Sequence, residues 1–299
     1  MAGSARRALG ADEDGEGYRP GDIDATGRPW PSLPEPGAPE RPPHAIVIAL
    51  CNQKGGVGKT TSTINLGAAL VETGRRVLLV DFDPQGSASI GLGINPHTLD
   101  RSVYNLLLPS APISATDVIV SSPVPDLDIL PANIDLSAAE VQLVNEVARE
   151  MTLSRVLAPL IDSYDVILID CAPSLGLLTI NALTAADYVL VPLECEFFAL
   201  RGVALLTDTI TKVQQRLNAH LKLLGVVPTM FDPRTLHSRE VLDRVLDAFG
   251  DAVYHTVIRR TIKFPETSVA GEPITTYASG SSGAEAYRSL ARETLARLS

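Results

Sequence analysis

From Ala45 onward, short runs that are apolar at every position alternate with longer stretches whose apolar residues recur at helical spacing. A run apolar throughout, rather than at every second residue, belongs to a strand covered on both faces. Its alternation with helices is the pattern of a parallel sheet. The pattern predicts strands at Ala45–Cys51, Arg76–Asp81, Leu127–Leu130, Asp165–Asp170, Tyr188–Leu193, Leu221–Val227 and Ala252–Ile258. Helices are predicted near Thr60–Thr73, Ser137–Glu150, Leu153–Ser163, Gly176–Ala185, Leu200–Ala219, Ser238–Phe249 and Ala284–Leu298. Between Asn95 and Ser122 there are turn residues without a clear period, and no more than a short helix is expected. The fold class is therefore α/β: a doubly wound, mostly parallel sheet with helices on both faces. No internal repeat is visible.

Residues 1 to 43 break this pattern. They are rich in Pro, Gly and acid and poor in aliphatics, so they bury too little apolar area to offset the entropy of ordering. The expected division is a disordered arm over 1–43 and one folded domain over 44–299. Trp30, the arm's largest apolar side chain, reads as part of a solvated tail, with a short docking motif as the alternative.

The first predicted strand runs directly into Lys54-Gly55-Gly56-Val57-Gly58-Lys59-Thr60-Thr61, and a predicted helix follows, ended by Gly74. Strand, glycine-rich loop and helix together form a phosphate cradle. The glycines let successive backbone N–H groups turn onto a polyphosphate, and the helix start adds its free N–H groups and positive dipole end. Lys59 is placed for the β- and γ-phosphates and the Thr60 hydroxyl for a Mg²⁺ between them. The usual P-loop formula has glycine where this chain has Gln53, and here a second lysine, Lys54, opens the loop.

Two further predicted strands end in acid. RVLLVD (76–81) continues as Phe82-Asp83-Pro84-Gln85-Gly86, and DVILID (165–170) as Cys171-Ala172-Pro173. The carboxyl ends of strands form the ligand crevice of an open α/β sheet, so both acids point toward bound phosphate and metal. A lone acid there serves equally well as a helix cap; two such acids behind a phosphate loop favour a Mg–nucleotide site.

KGGVGKTT with its early lysine, VDFDPQG and LIDCAPSLG resemble the deviant Walker A, switch I and Walker B/switch II segments of the ParA/MinD ATPases. Pro192-Leu193-Glu194, Phe197-Phe198-Ala199-Leu200, Thr229-Met230-Phe231-Asp232, Thr256 to Arg260 and Gly283 to Tyr287 resemble the ParA (Soj-type) partition branch. The similarity runs from about Ile46 to the last helix.

The resemblance implies a slow ATPase, stimulated by a ParB-type partner, that uses ATP and Mg²⁺ and sandwiches two nucleotides in an ATP-dependent homodimer. Lys54 then reaches the partner subunit's phosphates, Lys59 holds phosphate within its own subunit, and Thr61 extends the cradle to the α-phosphate. Asp83 positions the attacking water, and Asp170 contacts Mg²⁺ through a water. Asn52, Gln53 and Asn181 stand near the site without separable roles. The adenine is expected near Thr229–Asp232 and Ile258–Thr261.

The chain is acidic, formally −10, which argues against a uniformly basic face. The acid is unevenly spread, however: Asp12, Glu13, Asp14 and Glu16 lie in the arm, whereas arginines concentrate in the last third. The resemblance implies a sequence-independent DNA surface at Arg234, Arg260 and Lys263, with solvated or acid-paired charges as the plain alternative. A cytoplasmic, nucleoid-associated protein follows. The other reading is a MinD-like positioning ATPase on a membrane or protein scaffold. That version needs a terminal helix with bulky apolar and basic faces, and Tyr287–Ser299 offers mainly leucines and reads as packed on the sheet. No apolar run approaches a membrane span. Cys51, Cys171 and Cys195 have no paired spacing and read as buried thiols.

Overall fold

The structure, a computed structural model, describes residues 19–33, 42–108, 113–196 and 199–299. The strands are β1 (Ile46–Leu50), β2 (Val77–Phe82), β3 (Val120–Ser121), β4 (Leu127–Leu130), β5 (Val166–Cys171), β6 (Tyr188–Glu194) and β7 (Lys222–Thr229). They form one sheet in the order β3-β4-β2-β5-β1-β6-β7. Only the pairing of β3 with β4 is antiparallel.

Successive residues of a strand face opposite sides of the sheet. In β2, Leu78, Val80 and Phe82 enter one apolar layer, and Val77 and Leu79 the other. α1 (Lys59–Glu72) and α11 (Ser282–Leu298) cover the second layer through residues such as Leu66, Leu70, Tyr287 and Leu290. α6 (Leu177–Ala185), α7 (Ala199–Arg216) and α8 (Leu236–Phe249) cover the first through Leu178, Leu206 and Val245. Both faces of the central strands are thus buried, which is why their sequences carry almost no polar residue before the terminal acid. Asp81 and Asp170 share the parity of Leu79 and Leu168, so both project toward α1.

Several predicted elements differ. The strand expected at Ala252–Ile258 is reduced to two isolated bridges, Val226 with Val253 and Phe231 with Arg259. A continuous ladder fails because Pro228 of β7 has no N–H, and Leu224 is bulged where the register slips between Val189 and Leu190. The helix expected at Ser137–Glu150 covers only α4 (Leu136–Gln142), with single tighter turns at 143–145 and 149–151 around left-handed Ala148. The next, expected to Ser163, is α5 (Thr152–Leu157). The weakly patterned region contains α3 (Val103–Leu107), as foreseen, and the short β3. Three short helices went unread: α2 (Ser87–Gly91), α9 (Lys263–Ala270) and α10 (Ile274–Tyr277). A helix of one or two turns carries too little period to register in sequence.

The solvated tail expected around Trp30 is corrected by the structure. Residues 22–30 form a small hairpin, with Asp24 N–H donating to the Arg28 carbonyl and Trp30 N–H to that of Asp22. Trp30 is buried, 7 % exposed, against the folded domain. The Phe197-Phe198 motif lies outside the described residues.

Candidate active site

The loop from Cys51 to Gly58 leaves β1 and closes onto the N-terminus of α1. Gly56 and Gly58 have φ of 76° and 84°, left-handed values that a side chain resists and that turn the N–H groups inward. Gly58 is the residue before α1, so no side chain caps that helix and its first N–H groups face the loop. The loop is held from outside: the Thr229 hydroxyl, at the end of β7, donates to the Val57 carbonyl at 2.9 Å. Asn52 donates to the Pro192 carbonyl at 2.8 Å and accepts the Lys54 N–H at 3.0 Å. Gln53 is exposed.

The two lysines occupy different environments. Lys59 is buried, its Nζ donating to the Lys54 carbonyl at 3.1 Å. Burial pushes its pKa down, with nearby Asp170 opposing the shift. Lys54 lies at the rim, its Nζ 2.8 Å from Glu194 and 2.9 Å from Glu196. Burial opposes its charge, but the two carboxylates outweigh that and raise its pKa.

Asp81 and Asp170 are register partners on β2 and β5, and both are fully buried. Burial pushes Asp81 up to about 6, opposed by bonds from the Ser89 N–H at 2.8 Å and hydroxyl at 2.7 Å. Asp81 thereby ties β2 to α2. Burial, and then the neighbouring Asp81, push Asp170 up to about 8. Its Oδ1 accepts from Thr63 at 3.4 Å and it also faces the Thr60 hydroxyl, while its Oδ2 is buried without a hydrogen-bond partner. A buried carboxylate with one unsatisfied oxygen beside a second buried acid is a site that a divalent cation would stabilise. The residues present therefore fit magnesium.

Asp83 lies in the turn after β2, half-buried, its Oδ1 accepting the Gln85 N–H at 3.0 Å. Asn181 does not join the site. It donates to the Arg149 and Leu177 carbonyls at 2.9 and 3.0 Å and accepts the Leu153 N–H at 3.1 Å, so it ties α6 to the turn before α5 and to α5 itself.

Beyond the loop, a cleft of about 320 Å³ is lined by Gly58, Thr61, Met230, Ile258, Arg260 and Phe264 among others. Its lining includes Thr229, Met230 and Ile258 to Thr261, from the two segments where the resemblance puts the adenine. Of the three basic residues expected on a DNA surface, the Phe231–Arg259 bridge brings the segments carrying Arg234 and Arg260 side by side. Each of the three has an acidic neighbour. Arg234 grips Asp232 at 2.9 and 3.0 Å, Arg260 lies 3.5 Å from Glu194, and Lys263 lies 2.8 Å from Glu266.

Thr63, Ser89, Thr229 and Glu194 were not assigned from the sequence. Thr63 lies four residues after Lys59, one helical turn, which was the available signal. Thr229 and Glu194 stood in motifs quoted for the resemblance, but their partners Val57 and Lys54 are more than a hundred residues away; Ser89 lies eight residues after Asp81, in a helix too short to register.

A glycine-lined loop at a helix start, a buried lysine and two acids at strand ends define a P-loop nucleoside triphosphatase. A family model described as an AAA domain matches residues 45–223. An uncharacterized protein of Mycobacterium tuberculosis is 60 % identical over 92 % of this chain and 86 % of its own length. The sporulation initiation inhibitor protein Soj of Bacillus subtilis is 48 % identical over 84 % of this chain and 98 % of its own length. A Mycobacterium smegmatis structure described as cobyrinic acid a,c-diamide synthase, bound to ADP and magnesium, is 46 % identical. It superposes with a TM-score of 0.73 over 83 % of this chain and 92 % of that one. The chain belongs to the ParA/MinD-type P-loop ATPases, and relatives named Soj and ParA match it at 46–49 % identity over most of its length.

Proposed function

We propose that this protein is a partition ATPase. It binds ATP with Mg²⁺ in the cradle Lys54–Thr61, pairs with a second copy in the ATP state, and holds nucleoid DNA without sequence preference in that paired form. A ParB-type partner accelerates its otherwise slow hydrolysis. The observation that carries the reading is the contrast between the two loop lysines. Lys59 is enclosed and serves its own subunit, whereas Lys54, 37 % exposed at its side chain, sits at the rim where it could reach another subunit's phosphates. To do so it must exchange Glu194 and Glu196 for phosphate oxygens, a like-for-like swap of anionic partners.

Within a subunit, Lys59 and the loop N–H groups hold the β- and γ-phosphates and Thr61 extends the cradle to the α-phosphate. Thr60 and Asp170 would hold a magnesium ion, which when bound neutralises charge on the phosphates. Asp83, less confined than Asp81, orients the attacking water. Lys54 adds positive charge where negative charge shifts during transfer.

Arg234, Arg260 and Lys263 supply the DNA contacts. Their acidic neighbours weaken one subunit's patch, and pairing two subunits doubles it, which suits binding restricted to the ATP state. A membrane-docking role of the MinD kind is not favoured. Tyr287, Leu290 and Ala291 of α11 are buried on the sheet, and among the described residues no helix is long and apolar enough to cross a membrane. Glutamine-dependent amide synthesis would require an activated thiol nucleophile. Cys51, Cys171 and Cys195 are all buried; burial raises the Cys171 thiol and pushes Cys195 up to about 12.

The deciding experiment is sedimentation with a nonhydrolysable ATP analogue, with and without random-sequence DNA. Wild type should form a dimer that carries DNA, Lys54→Ala should bind the analogue as a monomer, and R234E/R260E should dimerise without DNA. A Lys54→Ala dimer with normal turnover would remove the cross-subunit role; salt-independent DNA binding by R234E/R260E would remove the proposed surface.

A further inference from the structure

The irregular segment 253–261 forms a wall of the cleft through Ile258 to Thr261. Its backbone bonds are few: Tyr254 N–H donates to the Val226 carbonyl at 2.9 Å, Ile258 N–H to that of Pro228 at 2.9 Å, Phe231 N–H to that of Ile258 at 3.1 Å and Arg260 N–H to that of Phe231 at 3.2 Å. Between Tyr254 and Ile258, side chains supply the holding bonds. On one side, buried Glu293 of α11 accepts the His255 and Thr256 N–H groups, each at 2.9 Å, and Arg297 donates to the Val253 carbonyl at 3.0 Å.

On the other side stands the hairpin of residues 22–30. The Asp24 carboxylate is wholly buried, its Oδ1 accepting from the Thr26 N–H and hydroxyl and from the Arg28 N–H, its Oδ2 2.7 Å from His255 Nδ1. Arg28 reaches the same Val253 carbonyl at 2.8 Å, and burial lowers its pKa. The Trp30 ring meets the His255 ring edge-on, centroids 6.2 Å apart. Two guanidinium groups, one from each end of the chain, thus converge on one carbonyl. Five residues further along, Ile258 enters the cleft.

We propose that residues 22–30 are a positioning strap that holds the 253–261 wall against the nucleoside part of a bound nucleotide; this rests on the nucleotide reading above. A buried carboxylate, a half-buried arginine and a buried tryptophan form an ordered contact, not a chance tail association. The Soj alignment spans 250 residues, so about a sixth of this chain has no counterpart there. The M. tuberculosis alignment spans 275 and must extend into the first 44 residues.

Trp30 is the only tryptophan, so its emission reports the strap directly. Titrating the full chain with ADP and Mg²⁺ should change that emission. In calorimetry, Asp24→Asn and Trp30→Ala should each bind ADP about three- to tenfold more weakly. Val156→Ala, which trims the core on the face of the sheet away from the cleft, is the control for a general loss of stability and should bind ADP as wild type does. Unchanged affinity in both strap variants, or an equal loss in the Val156→Ala control, overturns the strap. Failure of wild type to bind ADP at all overturns the nucleotide reading instead.

Discussion

At the phosphate end of the cleft, Asp81 and Asp170 face each other across two strands of a continuous parallel ladder, and Lys59 begins a helix of 14 residues. At the other end, Met230 holds a left-handed φ of 51°, and Ile258 to Thr261 cross an edge where only isolated bridges remain. The first region is positioned by backbone repeat, the second by a few isolated backbone bonds and, just before them along the chain, by side chains reaching from α11 and from the N-terminal hairpin. Chemistry that must be placed to within fractions of an ångström sits on the repeat. In the proposed reading, base contact, which tolerates more play, falls to the clamped loop.

The sharpest way to break the comparison is at Asp83, on the phosphate end but in a turn. Asp83→Ala should lower turnover roughly 100-fold or more while ATP affinity stays within about twofold, because a water-orienting carboxylate acts on the chemical step. Steady-state hydrolysis beside equilibrium ATP binding checks this; lost binding with normal turnover per bound nucleotide would assign Asp83 to the loop's structure. Lys59→Ala should weaken ATP binding about 10- to 100-fold, the scale of a charge-assisted contact removed from a buried site. Retention of affinity in a filter or dialysis assay would place the phosphates elsewhere.

Asp170 gives a pH test of the same end. Its pKa is raised from an ordinary 3.8 to about 8, so the folded chain holds a proton that the unfolded chain releases near pH 4. The stability this contributes is complete below about pH 4 and is lost as pH rises toward 8. Without nucleotide and Mg²⁺, Asp170→Asn should therefore melt about 3–6 °C above wild type at pH 8, with the gap closing toward pH 5. A pH-independent difference in melting temperature would mean that Asp170 does not titrate in this range.

The smallest effect is expected at the joint between the two ends. Thr229→Val removes the 2.9 Å bond to the Val57 carbonyl and should weaken ATP binding about threefold. An undiminished affinity would show that β7 does not brace the loop.

Much of the phosphate end could be read before any coordinates. Runs apolar at every position and terminal acids are local properties, so β1, β2 and β5 lie within a residue or two of expectation, and Gly58 adopts the turn its lack of a side chain permits. Asn181 was misplaced because a polar residue early in a helix after switch II looks the same whether it faces a ligand or, as here, two neighbouring backbone segments. Trp30 was read as solvated because composition averages over 43 residues, whereas its burial depends on one hairpin meeting one histidine.

The sequence by itself determined the sheet, the phosphate loop and the membership of a P-loop ATPase family, since each rests on spacing between near neighbours along the chain. Only the tertiary structure decided which acids pair with Lys54, Arg260 and Lys263, that Asp170 keeps an unsatisfied oxygen, and that residues 22–30 brace a wall more than 220 positions away. Those contacts arise where distant segments meet across strand order and edge, and no local pattern carries that information.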